Sequence, residues 1–203
     1  MTKHLEFIFD FASLNAYLAF RALPPILART GAELVITPCL LGGLFKATGN
    51  QAPMSAFAGV KGKLEYERLE IDRFVARHAL TKYRMNPHFP VNTLMLMRGL
   101  VAARLRGEEA AYVEMGLQGL WEQGLKLDDK DVLARRIAEA GLDAARLLED
   151  AQRPDVKQSL IETTEASARR GAFGIPTFFV GGEMFFGKER LAQIEEQLAK
   201  TAG

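Results

Sequence analysis

Strand-forming sequence is confined to the two ends of this chain, and the long middle between them reads as helix. Near the start, "LEFIF" is dense in aromatic and branched residues. "ELVITP" follows it after a stretch in which Leu14, Tyr17, Leu18 and Leu23 recur at helical spacing. Pro24-Pro25 is expected to kink or restart that helix before Gly31. This is a βαβ unit, whose two strands should lie parallel with a right-handed crossover. At the far end, "IPTFFV" and "EMFF" read as strands joined by a two-residue turn at Gly181-Gly182, with a closing helix over 188–200.

Between these ends, helices are expected over 57–78, 93–106, 108–122, 130–140, 143–151 and 155–170. Gly107, Gly124, Gly141 and Gly171 are helix stops, and Asn92 or Thr93 caps the helix that carries Leu96, Leu100 and Val101. "TKYRMNPHFPVNT", with Pro87 and Pro90, is the conspicuous irregular segment. The order βαβ, helices, ββα is that of an α/β thioredoxin-like fold carrying a large all-helical insertion. The expected partition is a discontinuous thioredoxin-like domain over 1–43 and 171–203 and a helical domain over 44–170.

Composition narrows function by exclusion. With 48% hydrophobic and 25% charged residues the chain reads as an ordinary soluble protein. A net charge of +1 gives no field that would gather nucleic acid or an acidic membrane surface, so neither is expected as a partner. No stretch approaches the roughly 20 apolar residues that span a bilayer. Asp10 interrupts the start before a secretory apolar core develops, and a cytoplasmic location is expected. Cys39 is the only cysteine, which leaves no internal disulfide and no C-x-x-C; a buried structural thiol is expected. His4, His78 and His88 lack metal-ligand spacing, and no metal is expected.

A site is expected at Ser13. It marks the turn from the first strand into the following helix, at the carboxyl end of a parallel strand, where ligands of such sheets bind. Free N–H groups and the positive end of the helix dipole favour an anion there, and a hydroxyl adds one donated hydrogen bond. Serine is equally a good helix cap, and spacing alone leaves both roles open. Serine hydrolysis lacks support, because there is no G-x-S-x-G and no histidine paired with Ser13. Ile175 precedes Pro176 and is held extended. If that bond is cis, its backbone polar groups are left to pair with an extended peptide, as a short added strand; a trans proline there simply opens the strand. "GGLFKATGN" is not a phosphate loop, since its lysine does not follow the second glycine of G-x-x-x-x-G-K-[ST]. Lys46 within it is either a solvated loop lysine or a cation on the ligand-binding side. Asp10 reads as a carboxylate that satisfies backbone N–H groups near the following helix.

Taken together, "FDFASLNAYLA", "LFKATGN", "NPHFPVNT" and "GAFGIPTFFVGGEMFFGKERL" resemble the 2-hydroxychromene-2-carboxylate isomerases, relatives of kappa-class glutathione transferases and, more distantly, of DsbA. The resemblance runs from about Phe7 to Leu191. It implies glutathione as cofactor, with Ser13 standing where DsbA-like oxidoreductases keep the first cysteine of their redox pair. That serine then hydrogen-bonds the glutathione sulfur and favours its thiolate. The resemblance further implies that Ile175 and Pro176 meet the cysteinyl peptide. Gly187, Lys188, Glu189 and Arg190 would hold the γ-glutamyl end, Glu189 accepting from its ammonium group. Lys46 and Asn50 would lie in the cleft, Lys46 paired with a carboxylate, and Asn92 would orient substrate.

Two positions depart from the family pattern: Leu14 replaces the usual proline after the serine, and Glu189 replaces an aspartate. The implied reaction converts a small aromatic substrate, 2-hydroxychromene-2-carboxylate, to trans-o-hydroxybenzylidenepyruvate. Reversible thiolate addition lets a double bond turn, and Lys46 stabilises the anion formed. A homodimer is implied as well. The alternatives are a kappa-like transferase that consumes glutathione and a non-catalytic glutathione- or peptide-binding protein.

Overall fold

Strand β1 (His4–Phe9) runs through the centre of a four-stranded sheet in the computed structural model, which describes residues 3–200. Leu5, Phe7, Ile8 and Phe9 have no exposed surface, because helices cover both faces of this strand. β2 (Glu33–Pro38) lies parallel to it, His4 opposite Glu33 and Phe9 opposite Pro38. On the other side β3 (Thr177–Val180) runs antiparallel, with Phe7 opposite Phe178 and their ring centroids 4.6 Å apart. β4 (Glu183–Phe186) completes the order β2-β1-β3-β4. Its turn uses Gly181 at φ 57° and Gly182 at φ 93°, the pair of positive angles that matches the strand twist. The two ends of the chain thus close into one sheet. Residues 1–2 and 201–203 of the expected outer domain lie outside the described residues.

Helices α1 (Leu14–Ala22) and α2 (Pro24–Thr30) divide at Leu23, where Pro24 and Pro25 bring no N–H to continue α1. Of the two readings of Lys46, the loop lysine is corrected: α3 (Leu41–Thr48) is a helix ending at Gly49, and Lys46 lies in its last turn. Gly43 allows close packing of α3, since a Cβ there would stand 3.1 Å from the Thr164 methyl. The helix expected over 57–78 is also corrected: it begins only at α5 (Lys63–Arg77), residues 57–62 form turns, and a short helix, α4 (Pro53–Ala56), precedes them. Gly62, at φ 80°, cannot continue a right-handed helix.

The five helices that follow agree with expectation to within one residue at each end. They are α6 (Leu94–Leu105), α7 (Glu109–Trp121), α8 (Lys130–Glu139), α9 (Ala144–Asp150) and α10 (Pro154–Arg169). The closing helix begins with a 3-10 turn, Lys188–Arg190, before α11 (Leu191–Lys200). Among the described residues no helix is long and apolar enough to cross a membrane.

Helix α7 braces the strand-to-helix corner. The Trp121 indole N–H donates to the Phe11 carbonyl at 2.9 Å, and the Phe11 ring lies against Gly116. A Cβ on Gly116 would stand 2.4 Å from that ring, and Phe11 is fully buried, with no free space to withdraw into. Gly116→Ala is therefore expected to lower stability by about 1–3 kcal/mol. The reading is a lower urea midpoint at unchanged slope, and an unchanged midpoint would show that the Phe11 ring gives way freely.

Candidate active site at the amino end of the first helix

Chain geometry at the corner follows from Ser13 leaving β1 in extended conformation (φ −88°, ψ 110°) and starting α1 as its cap. Its hydroxyl oxygen accepts from the Ala16 N–H at 3.1 Å. The hydroxyl proton is directed elsewhere, donated to the Ile175 carbonyl at 2.8 Å. Capping and site roles thus coexist in one side chain. Ile175-Pro176 is cis, and Ser13 and Ile175 are both buried, at 7% and 6% exposure. The N–H groups of Leu14, Asn15 and Ile175 find no acceptor among the described residues. Three open donors and one hydroxyl therefore gather at the positive end of a nine-residue helix, an arrangement suited to an anion or an extended peptide.

Beneath this corner Asp10, fully buried, joins three elements. It accepts from the Ala12 N–H at 2.9 Å, from the Leu41 N–H that opens α3 at 2.7 Å, and from the Thr93 hydroxyl at the start of α6 at 2.6 Å. Burial raises its pKa above the ordinary carboxylate value, and the three donated bonds act in the opposite direction. Cys39 is fully buried as expected, and burial, followed by the nearby Asp10 charge, pushes its thiol up to about 12. Native protein at pH 8 should accordingly leave Cys39 unmodified by a disulfide reagent, whereas denaturant exposes one thiol per chain. Stoichiometric labelling without denaturant would contradict that burial. Among the described residues no group of histidine, cysteine or carboxylate side chains is placed to hold a metal.

Several anticipated residues meet at the corner. Gly187 donates its N–H to the Pro176 carbonyl at 3.0 Å; at φ 98° it occupies a conformation that favours glycine. Asn50 donates to the Phe173 carbonyl at 2.7 Å, which brings the end of α3 onto the segment leading to Ile175. Asn92 is exposed and accepts from the Leu94 N–H at 3.0 Å, one residue ahead of Thr93, the N-cap of α6 that contacts Asp10. Arg190 is exposed, with its N–H turned back to Gly187. Lys188 is 3% exposed; its ammonium pairs with Glu189 and lies 5.5 Å from the Phe74 ring centroid, bracing the 3-10 turn against α5. Glu189 already accepts from that neighbour. Lys46 lines a groove between α3, α6 and α10, which neither Ser13 nor Ile175 lines.

Other contributors escaped the sequence reading. Phe173 and Phe186 stack with centroids 4.5 Å apart beside Gly174 and stay partly exposed, an apolar wall next to Ile175. Their only signal was their position within the "GAFGIPTFFVGGEMFFG" stretch. Asn86 holds the irregular segment in place, donating to the Leu120 and Leu125 carbonyls at 2.9 Å each and accepting from the His88 N–H. Nothing in the sequence distinguishes it from an ordinary loop asparagine.

Comparison with known proteins agrees with this architecture. A family profile described as "DSBA-like thioredoxin domain" matches residues 4–199. The 2-hydroxychromene-2-carboxylate isomerase of Sphingobium xenophagum is 29% identical over 200 residues, covering 98% of this chain and 99% of that protein. Glutathione S-transferase kappa 1 of Homo sapiens is 28% identical over 221 residues, covering 98% of this chain and 92% of that protein. A solved 2-hydroxychromene-2-carboxylate isomerase superimposes with a TM-score of 0.83 at 24% identity, over 98% of this chain and 95% of that one.

Proposed function

The chain belongs to the DSBA-like thioredoxin domain family, and we propose that within it this protein is a glutathione-dependent isomerase acting on 2-hydroxychromene-2-carboxylate or a close aromatic analogue. The observation that carries the proposal is the 2.8 Å contact of the Ser13 hydroxyl with the carbonyl of Ile175, at the amino end of α1. It joins a hydroxyl donor, open helix N–H groups and an unpaired strand-like N–H in one place. A cysteinyl peptide suits that set, since the Ile175 N–H is open to pair with its backbone and the Ser13 hydroxyl would be the donor available to its sulfur. Bound glutathione supplies a soft thiolate nucleophile that adds reversibly to an electron-poor double bond.

Everything else falls to this chain's own residues. Ser13, whose hydroxyl donates to the Ile175 carbonyl, would hold a thiolate by redirecting that proton, exchanging a neutral hydrogen bond for a charge-assisted one. The Leu14 and Asn15 N–H groups add the field of the helix end, which lowers the pKa of a thiol held there. Phe173 and Phe186 offer an apolar surface to an aromatic ring beside it. Asn50 holds the segment that carries Phe173 through its bond to that carbonyl.

The test incubates the protein with 2-hydroxychromene-2-carboxylate, with and without glutathione, while chromene absorbance and free thiol are both followed. Glutathione-dependent conversion without thiol loss is the expected result. Loss of thiol in step with substrate would favour the transferase chemistry of the kappa relative, and inactivity despite measured glutathione binding would sink the substrate assignment.

A further inference from the structure

Lys188 is the only buried lysine among the described residues. A buried ammonium needs a counter-charge, and Glu189 supplies it: the Lys188 ammonium pairs with Oε1 of its neighbour, whose own side chain is half-exposed. Glu70 on α5 does not compete for it. Arg73 bonds the Glu70 carboxylate at 2.5 Å and is the main cause of its lowered pKa, with the Lys188 charge a lesser one. The Phe74 ring, its centroid 5.5 Å from the ammonium, adds a cation–π contact but no charge. Lys188 and Glu189 therefore form one closed pair.

Position makes that pair consequential. The turn Lys188–Arg190 packs against α1, the helix that Ser13 begins, and Gly187 ahead of it donates to the Pro176 carbonyl at 3.0 Å. A Cβ on Gly187 would stand 2.9 Å from Oε2 of Glu189, so the carboxylate folds back over the residue that is bonded to Pro176. The family resemblance gives this turn the γ-glutamyl end of glutathione, with a free carboxylate accepting from the ammonium group. In this chain the carboxylate is already matched. Two cations flank one acid in the turn, so its net sign is positive and repels an ammonium group. An exchange of partners would leave Lys188 buried without its counter-charge, which costs more than a half-exposed ion pair with the ligand returns. Oε2 of Glu189 remains open to a hydrogen bond, and any N–H or O–H donor, charged or neutral, can use it.

We propose, resting on the glutathione reading above, that the Lys188–Glu189 pair frees recognition of the thiol peptide from its α-ammonium group. The ligand class then extends to cysteinyl peptides whose acyl end carries a carboxylate and no ammonium. Glutathione and its desamino analogue, glutaryl-cysteinylglycine, differ in that group alone. Titration of the intact protein with each is followed by calorimetry and by amide NMR of Ser13 and Ile175. The two peptides should shift both signals and bind within about threefold of each other. Lys188→Gln uncovers the Glu189 charge, and glutathione should then bind about tenfold more tightly than the analogue, a difference of about 1.4 kcal/mol. Adding Glu189→Gln to that variant should bring the two peptides back to near equality. A preference for glutathione of about tenfold in wild-type protein, which needs no variant to fold, overturns the inference and leaves the glutathione reading standing. So does a ratio unmoved by Lys188→Gln, or a preference kept in the double variant. Binding of neither peptide to wild-type protein overturns the reading and the inference together.

Discussion

Ser13→Ala should lower glutathione-dependent turnover by about 100-fold, the scale lost when one preorganised donor to a developing anion is removed. The substitution takes away the hydroxyl donor at the helix end, while the Leu14, Asn15 and Ile175 N–H groups remain to hold the peptide. Glutathione affinity should therefore fall much less than rate. The pH profile carries the sharper signature. A hydroxyl that donates to an anionic sulfur lowers its pKa, so removing that donor raises it, and the rising limb of the rate profile moves to higher pH. Ser13→Thr keeps the donor and should recover much of the rate. Stability should drop by about 1 kcal/mol from the lost cap to Ala16, too little to unfold the chain. A rate within threefold of wild type, with an unmoved profile, would remove Ser13 from the chemistry.

Asp10→Ala should be the most destabilising single change near the site, at about 4 kcal/mol. It leaves the Ala12 N–H, the Leu41 N–H and the Thr93 hydroxyl without their acceptor in a place water does not reach. Asp10→Asn keeps the shape, but its amide must turn a donor toward one of these donors, and about 2 kcal/mol is expected. Urea denaturation measures both. Linkage adds a sign. Because burial raises the native pKa of Asp10 above its unfolded value, the native state holds this proton more firmly. The stability from that difference is fully present below the unfolded pKa, near 3.9, and is lost as pH rises through the native one. Wild type should thus lose ground to Asp10→Asn as pH rises across that window. A constant difference between the two proteins across it would place the Asp10 pKa at its ordinary value.

Much of the fold was legible because it is written in local periodicity. Helices α6, α7, α8 and α10 end within three residues of the glycines named as stops, since termination depends on the backbone freedom of one or two residues. The errors fell where packing overrode local preference. Lys46 had a loop among its readings, yet it lies in α3, where the absent Cβ of Gly43 lets the helix press against α10 at Thr164. Phe57 to Gly62 looked helical from its apolar content, yet Gly62 adopts a left-handed conformation.

The site divides along the same line. A serine at a strand-to-helix corner and a proline opening a late strand were visible as residues, and the order of elements said that they belong to one sheet. Sequence alone determined those parts and their donors: a hydroxyl, a helix end, an extended segment. Only the tertiary structure decided that the Ser13 proton rests on the Ile175 carbonyl, that Asp10 ties α1, α3 and α6 beneath it, and that Lys46 lines a groove with residues of α6 and α10. The reason is range. Periodicity and capping act over a few residues, whereas each of these contacts joins segments that meet only once the sheet has closed and the helices have packed around it.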